Sequence, residues 1–593
     1  MSVDPVTLEV VRNRLEAIAD EMELTLLRTS HSPIVKEALD ASAALFDAAG
    51  SQVAQAAAAP IHLGMLVPGV AALLEAFPPE TLAEGDVVVT NDPFAGGAHL
   101  PDLVMLEPVF AAGTLVGFSV CVTHHQEIGG RSPGSTPTDA TEIFQEGLRI
   151  PPVLLRERGR PNETLLGLLR ANVRVPENVL GDVDGQLAAC AVGRRGLLDL
   201  VERHGVGGLR ALTDELLDRA ERLTRAAIER IPDGTYRFED WLDNDGVELD
   251  RPVPIRVAVT IRGDEVEVDL TGSAPQARGP INCTPASTLS AVYYVLRVVT
   301  DPAIPSNAGC YRPVRVVMPE GSVVNARPPA AVNGRAVVVR RTVDALLGAL
   351  AQALPERIPA ASNGHPLVLS IGGVDPATGR AYVTSDVGTG GMGARPDADG
   401  LEAIQTDTSN AQNVPVEALE LESPLRVGWY RLRRDSGGAG RFRGGLGVER
   451  SLEALGGEAR VSHRGERHRT QPWGLAGGEP GASSRSLVRR ADGGEEQIPS
   501  KRDLVLRPGD RLETWTTGGG GHGDPLERDP ALVLADVLDG KVGGKAAAER
   551  YGVAIRDGAV DEEETALLRE ALAAARGPVT WWLDRGGTGR EDR

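Results

Sequence analysis

Apolar residues near the start of the chain recur every three or four positions, as they do on one face of a helix. The recurring residues are Leu8, Val11, Leu15, Ile18 and Met22. Asp4 followed by Pro5 is typical of a helix N-cap and the first helical position after it. The sequence therefore predicts an amphipathic helix that begins at Pro5 and packs one face against a core.

A second pattern with helical spacing predicts a helix over residues 209–231. Its apolar face comprises Leu212, Leu216, Leu223 and Ala227. The Pro-Asp-Gly segment at 232–234 is a stop signal, so we expect a domain boundary there. A further helix is predicted over residues 562–576.

Between residues 236 and 270 the pattern changes to alternating apolar and polar positions, as in IRVAVTI and EVEVDL, which is typical of strands. Beyond about residue 390, glycine-rich segments separate further short strands. The fold class predicted is α+β, mixed and multidomain, with N-terminal helices, a β-rich middle and a glycine-rich C-terminal region. The expected domains are residues 1–232, 233–400 and 401–593.

A β-hairpin is predicted between residues 103 and 123, with strands over 103–110 and 114–123 and a turn at 111–113. A turn centred near residue 112 places Asp102 opposite Val122, and His99 opposite His124 or His125. Because opposed Cβ atoms lie about 5 Å apart, these side chains can meet at one ion.

Strand alternation separates the two adjacent histidines. His124 shares a face with Val116, Phe118, Val120 and Val122, so it is predicted to point to the buried side as a ligand. His125 is expected in a more polar environment, suited to proton transfer or substrate contact. His99, Asp102 and His124 form a set of two imidazoles and one carboxylate, as expected of a catalytic Zn or Mn site. The alternative is that these side chains only hold the hairpin together.

Other polar residues flank the hairpin between pairs of glycines that permit close backbone approach. Asp92, His125 and Glu127 are the candidates for catalytic roles. Two glycine-rich motifs carry weaker signals. GGAGRFRGG, with Arg441 and Arg443, could cradle a phosphate, but it lacks the GxxxxGK[ST] or strand-helix GxGxxG context, and structural turns are favoured. GGGGHGDP, with His522 and Asp524, is interpreted as a tight loop and not as a second metal site.

Composition narrows the function classes. The chain has 62 Lys and Arg against 83 Asp and Glu, a net charge of -21, which argues against binding to nucleic acid or anionic lipid. The four cysteines form no CxxC pair, so reduced, buried thiols are expected. The chain shows no pattern of a signal peptide or of a membrane span, and a cytoplasmic location is expected.

Several motifs together resemble the hydantoinase B family, from the first helix to about residue 553. They are KEALDAS at 36–42, IHLG at 61–64, NDPFAGGAHLPD at 91–102, EGLRIPP at 146–152, NVPVEALE at 413–420 and DSGGAGRFRGGLG at 435–447. The resemblance implies a divalent metal held by His99, Asp102 and His124. It also implies a hetero-oligomer with a hydantoinase A-type subunit that binds ATP and Mg. Ala98 and Glu127 depart from the family pattern, which has Thr or Ser and Asp there.

From this resemblance we expect the partner to use ATP to phosphorylate an amide or imide oxygen of a small cyclic substrate. The present subunit would then complete ring opening, with Glu127 or His125 taking the proton from a metal-bound water. The alternative within the family is ATP-dependent carboxylation of a ketone, of the acetone or acetophenone type. A third possibility is a non-catalytic assembly subunit.

Overall fold

Helices and β-sheets succeed one another along the chain, which confirms the predicted α+β class. The computed structural model describes residues 4–364 and 367–592. The helices are α1 (Pro5–Thr29), α2 (Pro33–Lys36), α3 (Pro60–Ala76), α4 (Glu163–Asn172), α5 (Pro176–Ile228), α6 (Pro285–Val299), α7 (Ala336–Leu350), α8 (Val416–Glu422), α9 (Pro530–Leu538), α10 (Gly544–Tyr551) and α11 (Glu562–Arg576).

The strands assemble into several sheets, and their bounds are as follows. They are β1 (Ala41–Asp47), β2 (Gln52–Gln55), β3 (Val87–Thr90), β4 (Asp102–Ala111), β5 (Thr114–His124), β6 (Val153–Glu157), β7 (Arg160–Pro161), β8 (Gly234–Leu242), β9 (Val253–Arg262), β10 (Glu265–Asp269), β11 (Val314–Val317), β12 (Val368–Val374), β13 (Ala381–Val387), β14 (Leu425–Leu432), β15 (Val448–Ala454), β16 (Ala459–Arg464), β17 (Gly474–Leu475), β18 (Arg485–Arg489), β19 (Glu495–Gln497), β20 (Lys501–Leu506), β21 (Arg511–Trp515), β22 (Ile555–Arg556), β23 (Ala559–Val560), β24 (Trp581–Asp584) and β25 (Arg590–Asp592).

The N-terminal helix is confirmed as predicted. The side chain of Asp4 accepts a hydrogen bond from the backbone N–H of Thr7 at 2.9 Å, as an N-cap does. The predicted apolar stripe is buried and lies against α5. The predicted C-terminal helix over 562–576 is confirmed as α11.

The predicted helix over residues 209–231 is confirmed as the part of α5 that follows a kink at Gly205 and ends at Ile228, whereas the part of α5 from Pro176 to the kink was not predicted. Several glycines in this segment argue against a helix, but they permit close packing. A Cβ at Gly193 would overlap Ser119, and one at Gly196 would overlap Ile18. Only Gly205 leaves the helical conformation, with φ 70° and ψ 161°. The glycines therefore let α5 lie directly on α1 and β5.

The first sheet has seven strands in the order β2-β1-β5-β4-β3-β6-β7, with the hairpin β4–β5 near its centre. One face of the hairpin packs against α1 and α5 through residues such as Met105 and Cys121. The other face packs against α3 through residues such as Val104 and Val122. Both faces of the hairpin are therefore covered, and its end lies inside the protein.

The predicted strands of the middle region are confirmed as β9 and β10, in a four-stranded sheet of order β11-β10-β9-β8 covered by α6 and α7. A second sheet, of order β13-β12-β16-β20, pairs strands from both sides of residue 400. The domain boundaries at residues 232 and 400 stay predictions.

The glycine-rich segments of the C-terminal region pack directly on one another. Gly438 donates to the carbonyl of Gly519 at 2.8 Å, Gly519 to Gly445 at 2.9 Å, and Gly445 to Met392 at 2.8 Å. The interpretation of GGAGRFRGG as structural is supported, because Arg443 is buried against Glu402 and Asp536.

The GGGGHGDP segment has the same structural character. The backbone of His522 exchanges hydrogen bonds with Phe442, and the carboxylate of Asp524 binds Arg576 at 2.6 Å. Within the described part of the chain, neither residue belongs to a group that could hold a metal ion. The four cysteines are buried and free, as predicted. Over residues 4–364 and 367–592, no helix is long and apolar enough to cross a membrane.

Candidate metal centre

The predicted hairpin is confirmed, with β4 and β5 joined by a tight turn at Ala112 and Gly113. Both turn residues have positive φ, 49° and 81°, which suits a two-residue hairpin turn. His99 precedes β4 in a turn, as expected from Pro101, and its carbonyl accepts from the N–H of Asp102 at 2.9 Å.

The predicted register of the hairpin was wrong by two residues. Asp102 pairs with His124 and not with Val122. The turn is centred between Ala112 and Gly113, and a β-bulge between Val109 and Phe110 shifts the pairing by one more residue. The correction brings Asp102 and His124 directly opposite each other.

The structure brings the three predicted ligands together. One donor atom from each of His99, Asp102 and His124 lies within 4.8 Å of the other two, the arrangement expected of a metal site. His99 Nε2 is 2.8 Å from Asp102 Oδ1, and the two imidazole rings have centroids 5.0 Å apart. His99 and Asp102 are buried, and His124 is half-buried. We call these three residues the metal trio.

The chemistry of the metal trio fits a divalent ion. Burial, aided by the charge of Arg335, lowers the pKa of His99 to about 3, so its imidazole is neutral at pH 7. Burial opposes ionisation of Asp102, but His99 and the Arg335 guanidinium hold its pKa well below the usual range. Among the described residues, Nδ1 of His99 and Nδ1 of His124 are buried without a hydrogen-bond partner. The neutral imidazole of His99 and the ionised carboxylate of Asp102 are metal donors, and the unpartnered Nδ1 of His124 offers a third donor atom.

Sequence reasoning missed three residues beside the metal trio. His62 is buried, with Nε2 3.5 Å from Asp40 Oδ1 and 3.9 Å from Asp102 Oδ1. Arg335, at the start of α7, binds the second oxygen of Asp102. Asp40 and His62 lie in two of the family motifs, KEALDAS and IHLG, and this was the available signal. For Arg335 the sequence carries no comparable signal.

The predicted environments of His124 and His125 were reversed. His125 is fully buried, and its Nε2 lies 3.2 Å from Oε1 of Gln186 on α5. Burial lowers the pKa of His125. The prediction assumed one polar face of the hairpin, but α5 covers that face. His125 thus contacts a helix, and its proposed part in proton transfer stays a prediction.

Asp92 and Glu127 are both engaged in ion pairs. Arg149 Nε donates to Asp92 at 2.8 Å, and Arg174 Nη1 donates to Glu127 at 2.7 Å. Within the described residues, no hydrogen bond or ion pair joins either carboxylate to the metal trio. Their predicted catalytic roles are therefore without direct geometric support.

A buried carboxyl group, Glu146, holds the segment that leads to Arg335. Its Oε1 accepts hydrogen bonds from the backbone N–H groups of Val332 and Asn333 and from the Asn333 side chain. Its Oε2 has no partner among the described residues. Burial raises the pKa of Glu146 to about 7, although these three hydrogen bonds oppose the shift.

We expect Glu146→Gln to stabilise the protein in a pH-dependent way. The folded pKa lies above the unfolded one, so the contribution of Glu146 is fully present below about pH 4.5 and is lost as the pH rises through 7. The amide group of the glutamine variant keeps an oxygen that can accept these hydrogen bonds, and it cannot ionise. The variant should match the wild type at pH 4 and exceed its free energy of unfolding at pH 8 by up to about 3 kcal/mol. Urea unfolding at both pH values measures this, and an equal difference at both would contradict it.

A model of the hydantoinase B/oxoprolinase family matches residues 4–525, most of the chain. The chain belongs to the hydantoinase B/oxoprolinase family. The matched residues include the metal trio, Asp40, His62 and Arg335, so the whole candidate site lies within the part of the chain that the family model matches. The resemblance inferred from the motifs is thereby confirmed.

Two curated members of the hydantoinase B/oxoprolinase family align with nearly the whole chain. The beta subunit of caprolactamase from Pseudomonas jessenii is 40% identical over 583 residues, which cover 96% of this chain and 100% of that protein. A protein assigned as the B component of a D-/L-hydantoinase, from Pseudomonas sp. strain NS671, is 34% identical over 587 residues, covering 96% and 98%.

The fold of this family member is also found in a solved structure. The crystal structure of ATP-dependent caprolactamase from Pseudomonas jessenii matches with a TM-score of 0.90 and 37% identity. The match covers 96% of this chain and 100% of that chain. The arrangement of helices and sheets described above is therefore that of an experimentally known protein.

Proposed function

We propose that this chain is the metal-bearing subunit of an ATP-dependent cyclic amidohydrolase, which hydrolyses a small cyclic amide or imide. The observation that carries the proposal is the metal trio, with donor atoms within 4.8 Å of one another. The similarity to caprolactamase and hydantoinase subunits over almost the full chain supports the reaction class.

The metal trio would hold a divalent ion, Mn or Zn, through two imidazoles and one carboxylate. Such an ion lowers the pKa of a bound water toward about 7 and supplies a nucleophile at neutral pH. Arg335 fixes the orientation of Asp102 by binding its second oxygen. The His62–Asp40 pair offers a proton acceptor beside the trio, with His62 Nε2 3.5 Å from Asp40.

For Asp92 and Glu127 we propose positioning roles. Their ion pairs with Arg149 and Arg174 hold the two segments that flank the hairpin, at residues 91–98 and 125–130. His125 anchors the end of β5 to α5 through Gln186. These contacts fix the backbone on both sides of the metal trio, which a preorganised site requires.

A second subunit is part of the proposal. We infer that a hydantoinase A-type partner binds ATP and Mg and phosphorylates the amide or imide oxygen, as membership of the hydantoinase B/oxoprolinase family suggests. Both relatives are named as one component of an enzyme with several subunits, which supports a hetero-oligomer. Phosphorylation turns a poor electrophile into a good one before water attacks.

The test is reconstitution of the chain with its hydantoinase A-type partner. ATP consumption and ring opening are measured on caprolactam, hydantoin and 5-oxoproline, and separately on acetone and acetophenone with bicarbonate. We expect ATP-dependent opening of a cyclic amide without bicarbonate, and close to one Mn or Zn per chain in protein purified without chelator. Turnover that requires bicarbonate would favour a ketone carboxylase, and full activity of a metal-free preparation would favour an assembly role.

A further inference from the structure

Three buried arginines surround the start of α7. Arg335, Arg340 and Arg464 have exposed fractions of 4%, 5% and 7%. Arg335 binds Asp102, and Arg464 Nη1 donates to the backbone oxygen of Asn333 at 2.8 Å and to its side-chain oxygen at 3.1 Å. Within residues 4–364 and 367–592, the Arg340 side chain makes one hydrogen bond, a long one of 3.4 Å from Nη2 to Gln405 Oε1. Of the three, Arg340 is the one least satisfied by the protein.

Particular nitrogen atoms of these three arginines lack a hydrogen-bond partner within the described part of the chain. Among the described residues, Nε of all three and Nη1 of Arg340 are buried without a hydrogen-bond partner. Three buried hydroxyls in the adjoining segments, those of Thr284, Ser287 and Thr408, are also without one. A buried donor left unpaired destabilises the folded protein, and more strongly when it is charged. A group of such donors indicates a ligand that accepts hydrogen bonds.

Arg340 is linked to the metal trio through Asp40 and His62. Its guanidinium is within electrostatic range of Asp40 and Asp407. Asp40 contacts His62, which is 3.9 Å from Asp102 Oδ1. Along α7, Arg340 follows Arg335 by about 7.5 Å at 1.5 Å per residue. One arginine therefore adjoins Asp102, and the next lies on the side of Asp40 and His62.

With a divalent ion bound, the charges around the metal trio would not balance without a further anion. Three guanidinium groups and the ion would together carry five positive charges. The carboxylates that face them are Asp40, Asp102, Glu146 and Asp407. Burial raises the pKa of Asp407 to about 6 and that of Glu146 to about 7, so they contribute fewer than two negative charges at neutral pH. Asp344, also near Arg340, is paired with Arg341 and Arg467.

A phosphoryl group matches this surplus of positive charge and of unpaired hydrogen-bond donors. It carries about -1.5 to -2 at pH 7 and has three acceptor oxygens, and planar guanidinium groups bind such oxygens in pairs. A carboxylate carries only one charge and two oxygens. The N-terminus of α7, where Arg335 lies, adds the partial positive charge of a helix start.

We propose that Arg340, together with Arg335 and Arg464, forms a subsite that binds the phosphoryl group of the activated substrate beside the metal trio. The subsite rests on the proposed function, because the phosphoryl group is the one that the partner subunit attaches to the amide oxygen. Inorganic phosphate, which remains after hydrolysis, carries the same chemistry and serves as the probe.

The experiment measures phosphate binding to the full-length, Mn-loaded chain without partner or ATP. Titration calorimetry gives the affinity, and Mn-induced relaxation of the phosphate ³¹P NMR signal reports its proximity to the metal. Arg340→Gln is expected to weaken phosphate binding about 10- to 100-fold, since it removes charged hydrogen bonds. Arg340→Lys keeps the charge but not the planar fork, so its affinity should fall severalfold.

The matched control is Arg297→Gln on α6. Arg297 lines a neighbouring cavity of about 330 Å³ with Tyr293, Tyr294 and Tyr311, and it should bind phosphate as the wild type does. Unchanged affinity in both Arg340 variants, an equal loss in Arg297→Gln, or displacement of phosphate by equimolar acetate would each overturn the subsite. Mn content and circular dichroism establish that each variant is folded. If Arg340→Gln does not fold, the phosphate affinity of Arg340→Lys decides the test.

The two proposals fail in different ways. Phosphate binding that depends on Arg340, in a chain whose reconstituted complex opens no cyclic amide, would leave the subsite standing and remove the proposed reaction. Ring opening by the complex, together with a phosphate affinity that does not change when Arg340 is replaced, would support the proposed reaction and remove the subsite. Acceptance of bicarbonate and a ketone by the complex would keep the phosphoryl subsite but change the substrate that carries the group.

Discussion

Replacing His124 with asparagine is expected to remove the bound metal and to lower turnover of the reconstituted enzyme by at least about 1000-fold. The estimate follows because loss of groups that merely support metal ligands already costs about 10- to 100-fold. His124 contributes one of three donors that lie within 4.8 Å of one another, so its loss leaves two protein ligands. Metal analysis and single-turnover kinetics measure the two effects separately.

The adjacent histidine supplies the control. His125→Asn changes the same residue type one position along β5, but His125 contacts Gln186 and does not belong to the metal trio. We expect this variant to retain its metal while losing some stability. Equal metal loss in both variants would contradict the assignment of ligands, and full metal content in His124→Asn would remove His124 from the site.

Asp102 adds a stability component to the same prediction. Asp102→Ala removes a proposed ligand and also leaves Arg335 buried without its carboxylate, which costs about 3–5 kcal/mol. The double variant Asp102→Ala/Arg335→Met should regain much of that stability without regaining the metal. Recovery of stability in the double variant thus separates the charge pair from the metal site.

Much of the hairpin formed by β4 and β5 could be predicted from the sequence. Alternating apolar residues and an Ala-Gly turn are enough to predict two strands, their connection and the meeting of His99, Asp102 and His124. The register was missed by one residue because the turn is centred between Ala112 and Gly113, and by one more because the bulge at Val109 depends on packing and has no sequence signature. The error was tolerable since a shift of two residues leaves each side chain on the same face.

Contacts between distant segments could not be derived in the same way. His62 lies near Asp102, and Asp40 near His62, because β1 pairs with β5 and α3 covers the adjacent face. No local sequence pattern predicts this order of strands and helices. Arg335 arrives from a segment more than 200 residues away. The burial of His125 was missed because glycines in α5 concealed the helix that covers it.

Replacing Gly519 with alanine is expected to prevent folding of the C-terminal region, or to cost more than about 4 kcal/mol. A Cβ at Gly519 would lie closer than 3.0 Å to the backbone of Met392 and Gly393, a separation that real Cβ atoms essentially never show. These atoms are backbone, held by hydrogen bonds between glycine-rich segments, so no side chain can rotate away. The φ of Gly519 is not in the left-handed region, so the effect arises from space alone.

Gly167→Ala provides the comparison, because it makes the same chemical change on the exposed side of α4, where a Cβ would meet nothing within 4 Å. That variant should gain about 0.5–1 kcal/mol, since alanine loses less conformational freedom than glycine in a helix. Soluble yield and thermal unfolding of the two variants measure the contrast. If Gly519→Ala unfolds at the wild-type temperature, the segments must be able to separate without loss of stability, and the glycines there would have to be explained by something other than contact between backbones.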